Sequence, residues 1–125
     1  MRTDFRTVGI RVRDLQESIN FYEKLLGMKI AGRGKLKQTK GEWAELTTDD
    51  NRFTLELNYY EKDSPYYVEY TLGEALDHLT FKVEDLDETL KKAEQAGYPT
   101  VDEHKQGKGR WAYIEDPNGI WIQFY

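Results

Sequence analysis

Few residues in this chain can do chemistry from a fixed position, and the clearest two are Glu56 and His78. A carboxylate and an imidazole are ordinary oxygen and nitrogen donors for a divalent metal, and either can act as a general acid or base. Cysteine is absent, which removes thiolate zinc sites, iron–sulfur clusters, disulfides and cysteine nucleophiles together. Any metal must therefore be held by His, carboxylate, amide, hydroxyl or water. The other histidine falls in His104-Lys105-Gln106-Gly107-Lys108-Gly109-Arg110, which reads as a solvated loop.

What gives Glu56 and His78 a place is that the chain is written twice. Thr7-Val-Gly-Ile-Arg-Val-Arg-Asp-Leu-Gln-Glu17 matches His78-Leu-Thr-Phe-Lys-Val-Glu-Asp-Leu-Asp-Glu88. Each copy alternates apolar and polar residues (Val8, Ile10, Val12; Leu79, Phe81, Val83), as a half-buried strand does. Each then supplies an Asp with a Glu three residues on, Asp14 with Glu17 and Asp85 with Glu88, the mark of a helix N-terminus. Leu15, Ile19, Tyr22 and Leu26 recur at helical spacing up to Gly27, and Leu86, Leu90, Ala93 and Ala96 do so up to Gly97. Trp43-Ala-Glu-Leu46 matches Trp111-Ala-Tyr-Ile114, and both lead into turn residues. Phe53, Leu55 and Leu57 then alternate, as do Ile120, Ile122 and Phe124. Each half reads β-α-β-β-β, with module one at about 5–60, a connector at about 61–76 and module two at about 77–125, all within one domain.

Duplication makes Thr7 equivalent to His78 and Glu56 equivalent to Gln123. By strand parity Glu56 points away from Leu55 and Leu57, and Gln123 away from Ile122 and Phe124. If the strands of both halves form one cupped sheet, these four side chains converge on its concave side and resemble a metal site.

The rest of the composition excludes other classes. Eighteen Lys and Arg against 23 Asp and Glu give a net charge of −5, without the basic footprint that nucleic-acid binding needs. No run approaches the roughly 20 apolar residues of a membrane span, and the N-terminal residues lack a signal-peptide core. A cytoplasmic protein is the default expectation. Arg33, Lys35, Lys37 and Lys40, and later Lys105, Lys108 and Arg110, form two basic loops that are either solvated or steer an anionic ligand. Tyr59, Tyr60, Tyr66, Tyr67 and Tyr70 cluster around the connector, at a dimer interface or along an aromatic pocket.

With these features in hand, the sequence resembles the vicinal oxygen chelate superfamily, which includes glyoxalase I, methylmalonyl-CoA epimerase, extradiol dioxygenases and bleomycin-resistance proteins. The nearest local similarity is to glyoxalase I, in Arg11-Val-Arg-Asp-Leu-Gln-Glu-Ser-Ile-Asn-Phe-Tyr22, Leu26-Gly-Met-Lys29 and Glu115-Asp-Pro-Asn-Gly119. The resemblance implies an α+β fold of two tandem βαβββ modules forming a cupped mixed sheet, usually within a homodimer.

It also implies a ligand set. Thr7 stands at the first metal position, where the family carries His or Gln. Glu56 stands at the second and His78 at the third. Gln123 stands at the fourth, where glyoxalase I has a Glu that is also its base; an amide offers an oxygen but takes no proton at neutral pH. Glu56 is then the one carboxylate left to serve as both ligand and catalytic base. Thr7 and Gln123 also break the two-His, one-Glu pattern of the extradiol dioxygenases and that of the epimerase. Arg11 matches a substrate-binding Arg that holds the carboxylate of glutathione, whereas Tyr60 and Glu74 depart from the family's glutathione-binding residues.

The leading expectation is a glyoxalase-I-like lyase or isomerase acting by proton transfer on a small oxygen-bearing substrate, with a divalent metal (Ni, Co, Zn or Mn). The rival is a metal-free, ligand-sequestering protein of the bleomycin-resistance type. A third reading is a structural or regulatory dimer.

Overall fold

The computed structural model describes residue 2 and residues 6–72 and 76–125. The chain divides into two compact units, one ending at Tyr70 and the other starting at Thr71, so the division falls inside the connector read from the sequence.

Module one runs β1 (Thr7–Arg11), α1 (Leu15–Asn20), β2 (Lys29–Leu36), β3 (Gly41–Thr47) and β4 (Thr54–Tyr60). Its strands form a four-stranded mixed sheet in the order β1-β4-β3-β2, with β1 parallel to β4 and the other pairs antiparallel. The Asp14 carboxylate caps α1 by accepting the Glu17 N–H at 2.9 Å. The helix does not run unbroken to Leu26: Phe21–Leu25 form a wider, π-type turn before Gly27 stops it at φ +70°. That turn leaves both Phe21 and Tyr22 buried, their rings meeting edge to face at 4.9 Å. Helix α1 lies against β3 and β4.

Module two repeats the plan with β5 (His78–Phe81), α2 (Leu86–Gln95), β6 (Asp102–Gln106), β7 (Gly109–Glu115) and β8 (Trp121–Phe124), in the order β5-β8-β7-β6. Asp85 caps α2 through the Glu88 N–H at 3.0 Å, and Gly97 follows the helix at φ +95°. The modules agree in detail. Val12 N–H donates to the Asn58 carbonyl at 2.9 Å, and Val83 N–H to the Tyr125 carbonyl at 2.9 Å, just past β1 and β5.

Register divides each sheet into a covered and an open face. In module one Val8, Leu55 and Leu46 form one row and Ile10, Leu57 and Ala44 the next, all but the half-buried Val8 buried. In module two the rows are Leu79, Ile122, Ile114 and Phe81, Phe124, Ala112. Ile122, Ile114, Phe124 and Ala112 are fully covered, each large side chain worth about 1.5–3 kcal/mol of burial. Phe53, expected to continue this alternation, lies one residue before β4 and is exposed.

Candidate functional site

The open face of module one carries Thr7, Gly9 and Arg11 on β1, Thr54, Glu56 and Asn58 on β4, and Trp43, Glu45 and Thr47 on β3. Glu56 is half-buried, paired in register with Gly9 on one side and Glu45 on the other. Thr7 opens β1 on the same face, opposite Thr54. Two glycines of β2 make room for an aromatic platform here. A Cβ on Gly34 would stand 2.9 Å from Trp43 Cζ2, and one on Gly32 would stand 3.2 Å from Trp43 Cζ3. The indole therefore lies over bare backbone, which these two positions permit because they lack side chains.

Arg11 is committed within its own module. Its Nη1 donates to the Tyr66 carbonyl at 2.6 Å, and its guanidinium lies 4.8 Å from the centre of the Tyr60 ring. Arg13 sits in the same way over Tyr70, at 5.2 Å. Tyr60 at the end of β4, with Tyr66 and Tyr70 of the connector, thus holds arginines of β1 and the residues after it. Glu74 lies outside the described residues.

The open face of module two carries His78 and Thr80 on β5, Trp121 and Gln123 on β8, Trp111, Tyr113 and Glu115 on β7, and Asp102 and His104 on β6. His78 Nδ1 is 2.7 Å from Asp77 Oδ2, and its ring meets Tyr113 edge-on at 5.9 Å. Gln123 Oε1 accepts from Thr80 Oγ1 at 3.3 Å. Each module therefore brings its own pair of expected donors, Thr7 with Glu56 and His78 with Gln123, onto one open face. Among the described residues no three His, Asp or Glu side chains gather as a metal site, and the expected quartet contains only two such residues.

Two readings of the sequence change. His104 is not in a loop: it is in β6, on the open face with His78, and its ring stacks on Trp111 at 5.4 Å. Backbone pairing with β7 makes Asp102–Gln106 a strand although the segment has no apolar alternation to announce it. The Asp102-x-His104 spacing was the available signal, because two residues apart on a strand means one face. The basic stretches are likewise parts of hairpins. Arg33 donates to Gln16 at 3.1 Å, Lys35 pairs with Glu42 at 3.0 Å, and Lys40 pairs with Asp63. Arg110 meets Asp87 at 2.9 Å and Glu103 at 2.8 Å, fastening the β6–β7 hairpin to α2. These ion pairs raise the Arg110 pKa and hold the Asp87 carboxyl below its ordinary value. Charges already paired in this way add little to the steering of an anion.

The fold and its doubled plan match known proteins. The chain belongs to the Glyoxalase/Bleomycin resistance protein/Dioxygenase superfamily, which matches residues 5–124. It is 34% identical over 122 residues to the uncharacterized protein YwbC of Bacillus subtilis (strain 168), covering 94% of this chain and 92% of that one. It is 32% identical over 120 residues to lactoylglutathione lyase of Escherichia coli O157:H7, covering 91% of this chain and 85% of the relative. Among solved structures it matches the trypanothione-dependent glyoxalase I of Leishmania major with a TM-score of 0.81 at 27% identity, covering 98% of this chain and 86% of that one. No helix among the described residues is long and apolar enough to cross a membrane.

Proposed function

We propose that this chain is a metal-dependent lyase or isomerase of the glyoxalase type, moving a proton between adjacent carbons of a small oxygen-bearing substrate. The observation that carries this reading is the repeated placement of donors. Thr7 and Glu56 stand on one open face in the same register as His78 and Gln123 on the other.

The donor chemistry fits a divalent ion. Asp77 on His78 Nδ1 leaves Nε2 as the coordinating nitrogen, the usual arrangement for a metal-bound imidazole. Glu56 supplies a carboxylate, and Gln123 an amide oxygen with a second lone pair beyond the one used by Thr80. Thr7 is the weakest donor and acts directly or through water. Nickel, cobalt, zinc and manganese all accept such a set. When bound, the ion polarises the substrate's oxygens and stabilises negative charge developing on them.

The chain's own residues do the rest. Glu56 takes the proton from the carbon beside the carbonyl and returns it to the neighbouring carbon, a role that the Gln123 amide cannot fill. Guanidinium N–H groups of Arg11 not used by Tyr66 hold an anionic part of the substrate. Tyr60 lies on that guanidinium, which favours a thiol other than glutathione. Assembly as a cytoplasmic homodimer, the habit of the family it resembles, belongs to the same proposal.

The test is turnover by the metal-loaded protein of hemithioacetals formed from methylglyoxal with glutathione or with smaller thiols. Acyl-CoA esters complete the panel. Glu56→Gln should lower the rate about 100-fold or more. Unchanged turnover in that variant, or none by the parent across the panel, contradicts the proposal. A second reading, metal-free ligand binding of the bleomycin-resistance type, is favoured by the aromatic surface of module two, where Tyr113 lies 5.1 Å from Trp121. Ligand affinity that survives both metal removal and Glu56→Gln would select it.

A further inference from the structure

We infer that His104, held by Asp102 on the open face of module two, is a second proton-transfer residue, one that handles a hydroxyl proton of the substrate. The inference rests on the proton-transfer reading above and adds a residue to it.

Three observations lie on the open face of module two. His104 Nε2 is 2.7 Å from Asp102 Oδ2, so the ring N–H donates to the carboxylate and the Nδ1 lone pair is left to accept a proton. The ring is fixed from the β7 side by Trp111, stacked at 5.4 Å with 19° between planes, and by Tyr113, edge-on at 6.2 Å. Tyr113 is also the residue that His78 meets edge-on at 5.9 Å, from β5 at the other edge of the sheet. Tyr113 is thus flanked by two imidazoles, each tied to its own carboxylate at 2.7 Å. A substrate resting on Tyr113 has the expected metal ligand His78 on one side and the His104–Asp102 pair on the other.

The second copy of the repeat shows that this pair is a feature of module two alone. His104 is opposite Trp111 as Gly34 is opposite Trp43, and Asp102 is opposite Tyr113 as Gly32 is opposite Glu45. Module one has two glycines where module two has an oriented imidazole. The groups facing His104 are Asp102 on its own strand and Trp111 and Tyr113 on β7. By alternation Glu103 and Lys105 belong to the other face, where Arg110 meets Glu103.

The chemistry needs a second carrier. Converting a 2-oxo hemithioacetal to a 2-hydroxy thioester moves two protons, one from carbon to carbon and one from oxygen to oxygen. His104 Nδ1 accepts the proton of the hydroxyl as its O–H pair becomes the new carbonyl bond. The imidazolium returns that proton to the oxygen that was the carbonyl, and no oxidant or other reactant is consumed. Asp102 is a positioning residue, holding the tautomer and steadying the imidazolium.

The test compares His104→Gln, Asp102→Asn and the parent in turnover of the methylglyoxal–thiol hemithioacetals, with nickel uptake measured on each. In His104→Gln we expect kcat to fall about 100-fold or more with KM and nickel affinity little changed. Added imidazole should restore part of the rate. Asp102→Asn should lower kcat less than His104→Gln does. Parent-level kcat in His104→Gln overturns this inference and leaves the role of Glu56 standing. A loss that imidazole does not rescue and that comes with lost nickel uptake assigns His104 to structure and also overturns it. No turnover by the parent overturns both readings.

Discussion

Replacing Gly34 with Ala tests how the open face of module one is built. The added Cβ would be 2.9 Å from Trp43 Cζ2, 3.0 Å from Cε2 and 3.1 Å from Nε1, against roughly 3.5–4.0 Å for an unstrained carbon contact. The indole, half-buried, must give way by roughly 0.6–1 Å. Overpacking of this kind costs about 1–3 kcal/mol. Losing a glycine from a strand interior returns about 0.5–1 kcal/mol. A net loss of about 1 kcal/mol follows, opposite in sign to the usual effect of Gly→Ala in a strand. Removing the obstacle should reverse it: in a Trp43→Leu background the same substitution becomes neutral or stabilising. The assay is a double-mutant cycle of urea unfolding followed by circular dichroism, with m-values compared to confirm that stability alone has changed. A coupling energy below about 0.5 kcal/mol would refute the close approach of Trp43 to the β2 backbone.

Two further outcomes follow from the site and its surroundings. Gln123→Glu keeps an acceptor for Thr80 and adds a charged ligand, so nickel affinity by calorimetry should rise tenfold or more, about 1.4 kcal/mol; an unchanged affinity would remove Gln123 from the donor set. The Arg110–Asp87 pair should matter above the ordinary carboxyl range and not below it. Asp87 is held below its ordinary 3.8, so its contribution is fully present above that value and is lost as pH falls through the lower folded-state value. Asp87→Asn should therefore be less stable than the parent at neutral pH, with the gap closing only as pH falls below the folded-state value; a gap that does not change with pH would contradict the pairing.

The doubled fold was legible because it rests on patterns that local chemistry imposes. Alternation at Val8, Ile10 and Val12 matched that at Leu79, Phe81 and Val83, and the Asp14 and Asp85 caps formed as their spacing required. What escaped the sequence depended on partners far along the chain. Strand β6 is an exposed edge strand whose residues Asp102–Gln106 carry no hydrophobic signal; β7 makes it a strand. The π-type turn at Phe21–Leu25 hid inside a spacing of Leu15, Ile19, Tyr22 and Leu26 that suits an unbroken α-helix equally well. Strand parity placed Glu56 and Gln123 on the open faces of their own sheets, and the register agrees. Nothing local could reveal that Arg11 lies under Tyr60 and bonds Tyr66, which is 55 residues away in sequence.

The central claim is that Glu56 and His78 belong to a metal-dependent proton-transfer site. Its most direct test is calorimetric titration of metal-free protein with nickel, cobalt, zinc and manganese, alongside Glu56→Ala. Micromolar or tighter binding, about 8 kcal/mol, that disappears in Glu56→Ala is the predicted result. No binding by the parent, or equal binding by both proteins, would contradict the account.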